Sequence, residues 1–193
     1  MLTSLSYFQW GGFVFGIIYI IIAAKKYNHS WIYGLFSAVS IIIEDYTNTH
    51  LYVDGFLHIL YALMAIAGII LWRKGQAQTQ VIRISKMPRS SYLGYLCISL
   101  IIGGALGYLL DNNTDAQYAY LDAFSSTLAV FATFLVIYRV LNVWTYWLLI
   151  NLISIYLYWQ TGAILLSLLY IAYLISNIMK WKQWNADYQS QRA

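Results

Sequence analysis

Three side chains in the stretch WTYWLLIN have the types and spacing of a binding site for a flat ring. Trp144, Trp147 and Asn151 are spaced i, i+3, i+7, which places them within about 60° of one another on one helix face. Two indoles can stack on an aromatic ligand or hold a cation by cation–π attraction, at ~0.5–2 kcal/mol each. We therefore interpret this face as ligand-binding. The alternative is an interfacial aromatic belt for Trp144 and an interhelical hydrogen bond for Asn151.

Two further segments carry polar and aromatic side chains on one helix face. One segment contains Asp54, His58 and Tyr61, and the other contains Tyr170, Tyr173 and Asn177. A neutral imidazole such as His58 can donate one hydrogen bond and accept another, which suits a sugar hydroxyl or a ring substituent. Asp54 could instead serve only as an acid at a helix start. We expect the faces to converge on one lipid-shielded cavity.

Three more acids lie near predicted helix ends. Asp122 opens an apolar segment and is followed by serines, so it either caps its own helix or attracts cations at the mouth of a cavity. Glu44 and Asp45 end another apolar segment. We expect both to be solvated at the level of the lipid headgroups, with an inward-facing Glu44 as the alternative.

Motifs for other chemistry are absent from the sequence. It has no glycine-rich phosphate loop, no HExxH motif, no Cys/His cluster and no Ser/His/Asp arrangement. A lone histidine such as His58 makes no metal site, and the single Cys97 allows no internal disulfide. The sequence therefore predicts no catalytic residue, no metal and no cofactor, and its apolar segments hold no evident acid/base pair.

The composition indicates the environment of these residues. The 193 residues are 61% hydrophobic and 9% charged, with a mean hydropathy of +0.62, whereas a soluble domain is about a quarter charged. The net charge of +4 does not indicate nucleic-acid binding, because the basic residues lie between apolar segments. The chain is therefore predicted to be an all-α polytopic membrane protein, with the lipid bilayer as its surroundings.

Apolar segments long enough to cross a bilayer define the predicted topology. Seven transmembrane helices are predicted, at about 7–24, 30–45, 51–72, 92–110, 119–138, 143–159 and 161–181. All 11 lysines and arginines then fall in the odd-numbered loops and the C-terminal tail, while every acid except Asp187 falls on or near the opposite side. The positive-inside rule places the N-terminus outside and the C-terminus in the cytosol.

The two halves of the chain show a weak internal repeat. Sliding one half over the other pairs Trp31 with Trp144, Lys26 with Arg139, His58 with Tyr170, Tyr61 with Tyr173 and Trp72 with Trp184. This predicts a 3+1+3 organisation: a first three-helix repeat in residues 1–72, a cytosolic linker, linking helix (92–110) and outer loop in 73–118, and a second three-helix repeat and cytosolic tail in 119–193. Because a single helix links the two repeats, both have the same orientation in the membrane, as in SWEET-type transporters.

Several motifs resemble the Pnu family of bacterial B-vitamin transporters. They are WTYWLLIN, YLDAF (120–124), the basic end of the fifth segment, and the run from Leu51 through Gly68 to Trp72. The resemblance covers most of the chain and implies a seven-helix, SWEET-like uniporter of the bacterial cytoplasmic (inner) membrane. It also implies facilitated diffusion, trapping of the vitamin by a cytosolic vitamin kinase, and contact of Trp144, Trp147 and Asn151 with the substrate ring.

The chain departs from the family pattern on the third helix. His58 replaces a usual Gln, Ala65 a usual Asn, and Ile69-Ile70 an aromatic pair. Three vitamins remain open: nicotinamide riboside first, then thiamine, both with a cationic ring, and riboflavin third because it is neutral and larger. A vitamin-binding membrane subunit of an ATPase-coupled importer is the alternative class, and a homo-oligomer is left open.

Overall fold

The structure is a computed structural model that describes residues 6–24, 30–73, 84–138 and 140–191. Within these ranges it contains seven α-helices. They are α1 (Tyr7–Ala24), α2 (Ser30–Glu44), α3 (Tyr52–Arg73), α4 (Arg89–Asn113), α5 (Ala119–Ile137), α6 (Val143–Gln160) and α7 (Ile164–Ser190). Each predicted apolar segment coincides with one of them, so the prediction of seven helices is confirmed.

Local sequence signals explain several helix boundaries. Pro88 caps the start of α4 in an extended conformation, which suits a residue that has no N–H to donate. Gly162 adopts a φ of 80° in the short turn between α6 and α7, a conformation that costs glycine little. After α2 the backbone widens into a π-helical turn, Asp45–Thr49, which changes the direction in which Asp45 points.

Six helices form a closed ring. In order around the ring, α1 packs on α2, α2 on α3, α3 on α5, α5 on α6, α6 on α7, and α7 again on α1. Helix α4 packs on α5 from outside the ring. A ring of this kind leaves a central space that every ring helix can line.

The outer surface of the bundle is apolar. Helix α4 fully buries only Ser99, Gly103 and Gly107, while Ile101 is 71% exposed. Within the described ranges, three helices are long and apolar enough, by length and composition, to cross a membrane: Arg89–Asn113, Ala119–Val136 and Ile164–Ser190. Tyr7–Ile22 and Tyr52–Ala67 are shorter apolar helices. A continuous apolar exterior is stable against lipid and not against water, which agrees with the predicted membrane protein.

Helix α7 is longer than the predicted segment 161–181, since it continues through part of the predicted cytosolic tail to Ser190. Packing explains the extension. Trp184 lies edge-to-face against Trp144, with ring centroids 5.0 Å apart, and Lys86 Nζ lies 4.8 Å above the ring of Tyr188.

The last residues of the predicted linker are ordered against the start of α6. The N–H of Leu141 donates to the carbonyl of Ser85 at 2.8 Å, and the N–H of Met87 donates to Asn142 Oδ1 at 3.0 Å. Much of the predicted basic side lies outside the described residues. This applies to Lys25, Lys26, Lys74, Arg83, Arg139 and Arg192, and to the side chains of Arg73 and Trp72.

The prediction that Glu44 and Asp45 are solvated is wrong. Glu44 is buried, and it accepts hydrogen bonds from Ser6 Oγ at 2.5 Å, Gln9 Nε2 at 2.9 Å and Asn48 Nδ2 at 2.8 Å. These donors offset the cost of removing the carboxylate from water. Asp45 is also fully buried, because the π-helical turn directs it into the bundle.

Glycine contacts between α4 and α5 lead to a stability prediction. A Cβ at Gly103 would lie 2.6 Å from Phe124 Cα, whereas a Cβ at Gly104 would meet nothing within 4 Å. We expect Gly103→Ala to destabilise the protein by about 1–3 kcal/mol through overpacking. Gly104→Ala should be neutral or stabilising, by up to about 1 kcal/mol of helix propensity. Thermal unfolding in detergent measures both, and equal Tm values for the two variants would contradict this packing.

Candidate ligand-binding cavity

The ring encloses a cavity of about 470 Å³, within the usual size range of small-molecule sites. Residues of α1, α2, α3, α5, α6 and α7 line it, and among the described residues none comes from α4. The predicted site residues that line it are Asp54, His58, Tyr61, Trp144, Trp147, Asn151, Tyr170, Tyr173 and Asn177. The structure therefore brings the three faces read from the sequence together around one space.

Helix α6 contributes the two indoles and the carboxamide. Trp144 is only 4% exposed, and its Nε1–H has no hydrogen-bond partner among the described residues. Asn151 is buried, and its Nδ2 donates to the carbonyl of Trp147 at 2.5 Å, which fixes the orientation of the amide. Lys180 also lines the cavity, with its Nζ 5.9 Å from the centroid of the Trp144 ring.

A cluster of four buried polar residues borders the cavity, and we call Asp45, Asp54, His58 and Tyr158 the acid cluster. The Tyr158 hydroxyl lies 2.6 Å from Asp54 Oδ2 and 2.9 Å from Asp45 Oδ1, and Thr49 Oγ1 donates to Asp45 at 3.0 Å. His58 Nδ1 lies 2.9 Å from the carbonyl oxygen of Asp54, 3.6 Å from Asp54 Oδ2 and 4.0 Å from Asp45 Oδ2.

The acid cluster corrects the expectation that the bundle holds no acid/base set. Asp45, Asp54 and His58 each have a side-chain nitrogen or oxygen atom within 4.8 Å of such an atom in the other two. A signal for Tyr158 was present in the sequence, since it lies on the α6 face that begins with Trp144 and includes Asn151. Asp45 had no such signal, because the π-helical turn that redirects it cannot be read from the residue types.

Other lining residues were not predicted as site residues. Trp31 lines the cavity from α2 and Lys180 from α7. The internal repeat pairs Trp31 with Trp144. This pairing was a sequence signal that Trp31 would also line the cavity.

Asp122 does not line the cavity, so its prediction as a cavity-mouth acid is wrong. It is fully buried, and its carboxylate accepts hydrogen bonds from the backbone N–H of Val53 at 3.0 Å and of Asp54 at 2.9 Å. Asp122 therefore caps the start of α3 instead of its own helix α5.

The connection between α4 and α5 is attached to the start of α3. The N–H of Gln117 donates to the carbonyl of His50 at 3.1 Å, and Asp115 Oδ2 lies 2.9 Å from His50 Nδ1. A hydrogen bond from Tyr52, supported by His50, lowers the pKa of the exposed Asp115 below its ordinary value. This connection and Asp122 both hold the start of α3 against α5.

A closed ring of helices with an apolar exterior and a ligand-sized central cavity is an architecture that suits a multi-pass membrane transporter. The chain belongs to the nicotinamide mononucleotide transporter family, whose pattern it matches over residues 6–186. This membership confirms the resemblance read from the sequence, and it confirms that the chain is a transporter and not an enzyme.

Similar proteins agree with the family assignment. The nicotinamide riboside transporter PnuC of Neisseria mucosa is 22% identical over 183 residues, which cover 89% of this chain and 69% of that protein. A crystal structure of the vitamin B3 transporter PnuC superimposes with a TM-score of 0.69 at 21% identity, covering 96% of this chain and 83% of the other. The structural similarity shows that the fold is shared.

The Asp122 cap generates a stability prediction. Replacing Asp122 by Ala leaves two backbone N–H groups at the start of α3 without this acceptor, one of them buried and one partly buried, at a cost of roughly 1–3 kcal/mol. We expect Asp122→Ala to lower the Tm in detergent. Asp111→Ala is the matched control, because Asp111 is an exposed acid at the end of α4. An unchanged Tm for Asp122→Ala would contradict the capping role.

Proposed function

We propose that this protein takes up a B vitamin, with nicotinamide riboside as the leading substrate, by facilitated diffusion. A cytosolic kinase would trap the vitamin by phosphorylating it. The observation that carries the proposal is the convergence of Trp144, Trp147 and Asn151 on one cavity bordered by His58. The names of the PnuC relatives support the same substrate.

The cavity suits a flat cationic ring that carries a sugar. The ring would stack on the two indoles at ~0.5–2 kcal/mol each, and the unpartnered Nε1–H of Trp144 offers a donor to a substituent. Asn151 offers its carboxamide to the ring substituent, and Asp54 places a carboxylate at the cavity wall. Tyr61, Tyr170, Tyr173 and Asn177 supply further polar groups for the sugar.

Thiamine is the second candidate, and the evidence for it lies on α3. Ala65 and His58 both line the cavity, and both depart from the residues usual in the family. Removal of a carboxamide at position 65 leaves room and removes a hydrogen-bonding group, so the preferred substituent can differ. Thiamine also has a flat cationic ring, whereas the neutral and larger riboflavin ranks third.

The proposed topology has seven spans in a 3+1+3 arrangement of parallel, SWEET-like repeats, with boundaries at 1–72, 73–118 and 119–193. The ring order supports it. If α1 corresponds to α5, α2 to α6 and α3 to α7, each half contacts the other in the same way: α7 packs on α1 as α3 packs on α5. We propose an external N-terminus and a cytosolic C-terminus in a bacterial inner membrane. Lys86 of the predicted cytosolic linker contacts Tyr188 near the end of α7. This contact supports the proposal that the linker and the C-terminal tail lie on the same side of the membrane.

The mode of transport has one competing proposal, in which the chain is the vitamin-binding subunit of an ATPase-coupled importer. The seven helices and the proposed repeat favour autonomous transport, since two related halves can provide alternating access. Co-purification with an ATPase would favour the competing class. Self-association of the chain remains a prediction.

Uptake by proteoliposomes tests the function directly. Trp144→Ala and Asn151→Ala should each weaken binding of nicotinamide riboside by about 3- to 30-fold, as expected for loss of one stacking contact or one hydrogen bond. Trp159→Ala is the matched control, because Trp159 lies on the same helix and is 61% exposed. It should transport normally.

Two results would contradict the proposal. Full uptake by a folded Trp144→Ala, Asn151→Ala double variant would remove these residues from the site. Accumulation above the external concentration, driven by an imposed proton or sodium gradient, would overturn uniport. The same uptake assay with thiamine in place of nicotinamide riboside shows which of the two vitamins is transported better.

A further inference from the structure

The acid cluster holds more acceptor groups than its neighbours can compensate. Asp45 is completely buried and Asp54 is 6% exposed. Among the described residues, the ion-pair partner within 4.0 Å of either carboxylate is His58, and no lysine or arginine lies that close. Two buried negative charges without a strong cation are costly, so the cluster is expected to retain protons when the cavity is empty.

The hydrogen bonds show where a proton can reside. The Tyr158 hydroxyl has one hydrogen to donate, yet it lies at hydrogen-bond distance from both Asp54 and Asp45. Both contacts are favourable if one carboxyl group is protonated and donates to Tyr158 while Tyr158 donates to the other. His58 offers a second place: its Nδ1 faces a carbonyl oxygen, so Nδ1 carries a hydrogen, and a proton on Nε2 makes the ring a cation.

Neighbouring elements add further titratable groups. On α3, the ring of Tyr61 is edge-on to His58. On α5, Asp122 accepts a hydrogen bond from the N–H of Asp54, and on α7 the ring of Tyr170 stacks on Tyr158. Other titratable residues that line the cavity are Tyr19, Tyr173 and Lys180. Lys180 lies against Trp144 and not against the cluster. The surroundings therefore supply acids and phenols, and the cluster takes its positive charge from a proton or from a ligand.

We propose that the acid cluster binds a proton that competes with the cationic ring of the substrate. A permanent cation in the cavity supplies the positive charge that the cluster lacks, so its binding releases a proton from the cluster to water. The proton belongs to the coupled group and not to one residue. This inference rests on the proposed function, because it requires a cationic vitamin in this cavity.

The competition has a quantitative signature. If one proton is displaced, the apparent Kd for the cation rises as the pH falls, by up to about tenfold per pH unit. A ligand of the same shape without the ring charge should show no such dependence. Reduced nicotinamide riboside is that control, since its dihydropyridine ring is uncharged and it keeps the sugar and the carboxamide.

Isothermal titration calorimetry on the purified full-length protein in detergent tests the proposal. Binding of nicotinamide riboside is measured from pH 6 to pH 8 in pairs of buffers with different ionisation enthalpies, which gives the number of protons released per ligand. We expect a measurable release of protons, at most one per ligand, for the oxidised vitamin and none for the reduced form.

Variants assign the proton to the cluster. Asp45→Asn keeps the shape and lets the amide donate to Tyr158, so it mimics the protonated state and should flatten the pH dependence of the Kd. His58→Gln tests whether the proton resides on the imidazole, and it should also flatten the pH dependence of the Kd. It replaces Asp45→Asn in the experiment if that variant does not fold. Asp111→Asn, at an exposed acid outside the cavity, should behave like the wild type.

The outcomes separate this inference from the proposed function. Nicotinamide riboside that binds with a pH-independent Kd and no proton release overturns the proton site and leaves the transporter proposal intact. Equal pH dependence for the oxidised and reduced forms, or unchanged dependence in both cluster variants, also overturns it. Failure of the vitamin to bind at any pH overturns the proposed substrate, and this inference with it.

Discussion

The hydrogen bonds that hold the start of α3 against its neighbours are the constraint on which the cavity depends. Lipid offers no hydrogen bonds, so polar groups inside such a bundle must satisfy one another. Asp122 of α5 accepts from two N–H groups of α3, and the hydroxyl of Tyr158 on α6 is hydrogen-bonded to Asp54 of α3 beside them. Together they attach the start of α3 to α5 and, through Asp54, to Tyr158 of α6. The ring closes around the cavity because α3 cannot rotate away without leaving these groups unpaired.

The same constraint explains why the buried acids serve different purposes. The oxygens of Glu44 accept hydrogen bonds from Ser6, from Gln9 of α1 and from Asn48 of the π-helical turn, so its role is to join these segments. Asp122 receives backbone N–H groups and acts as a helix cap. Asp54 alone among these three acids lies on the cavity wall. Its position at the boundary between a satisfied polar network and an open space makes its charge available to a ligand.

Much of the fold could be predicted from the sequence, and the reason is physical. Apolar segments of helical length are the dominant signal in a membrane protein, and all of the predicted ones are helices. The lining of the candidate cavity by Trp144, Trp147 and Asn151 was also predictable, because these residues keep one helical period and local spacing then decides which face they share. Contacts between helices were not predictable in this way. Asp122 capping another helix, and Asp45 redirected by a π-helical turn, depend on how distant segments pack.

The division of the cavity between helices bears on how substrates are distinguished. Under the proposed function, helix α6 supplies two indoles that would stack on a flat ring with little regard to its identity, since stacking tolerates many rings. Asn151 of the same helix would bond a substituent of that ring. Helix α3 supplies His58 and Ala65, where this chain departs from the family, together with Asp54. Polar groups that must be paired discriminate more strongly than apolar contacts do, because an unpaired buried group carries a penalty. Selectivity among cationic vitamins is therefore expected to reside on α3, and α6 to provide the affinity that they share.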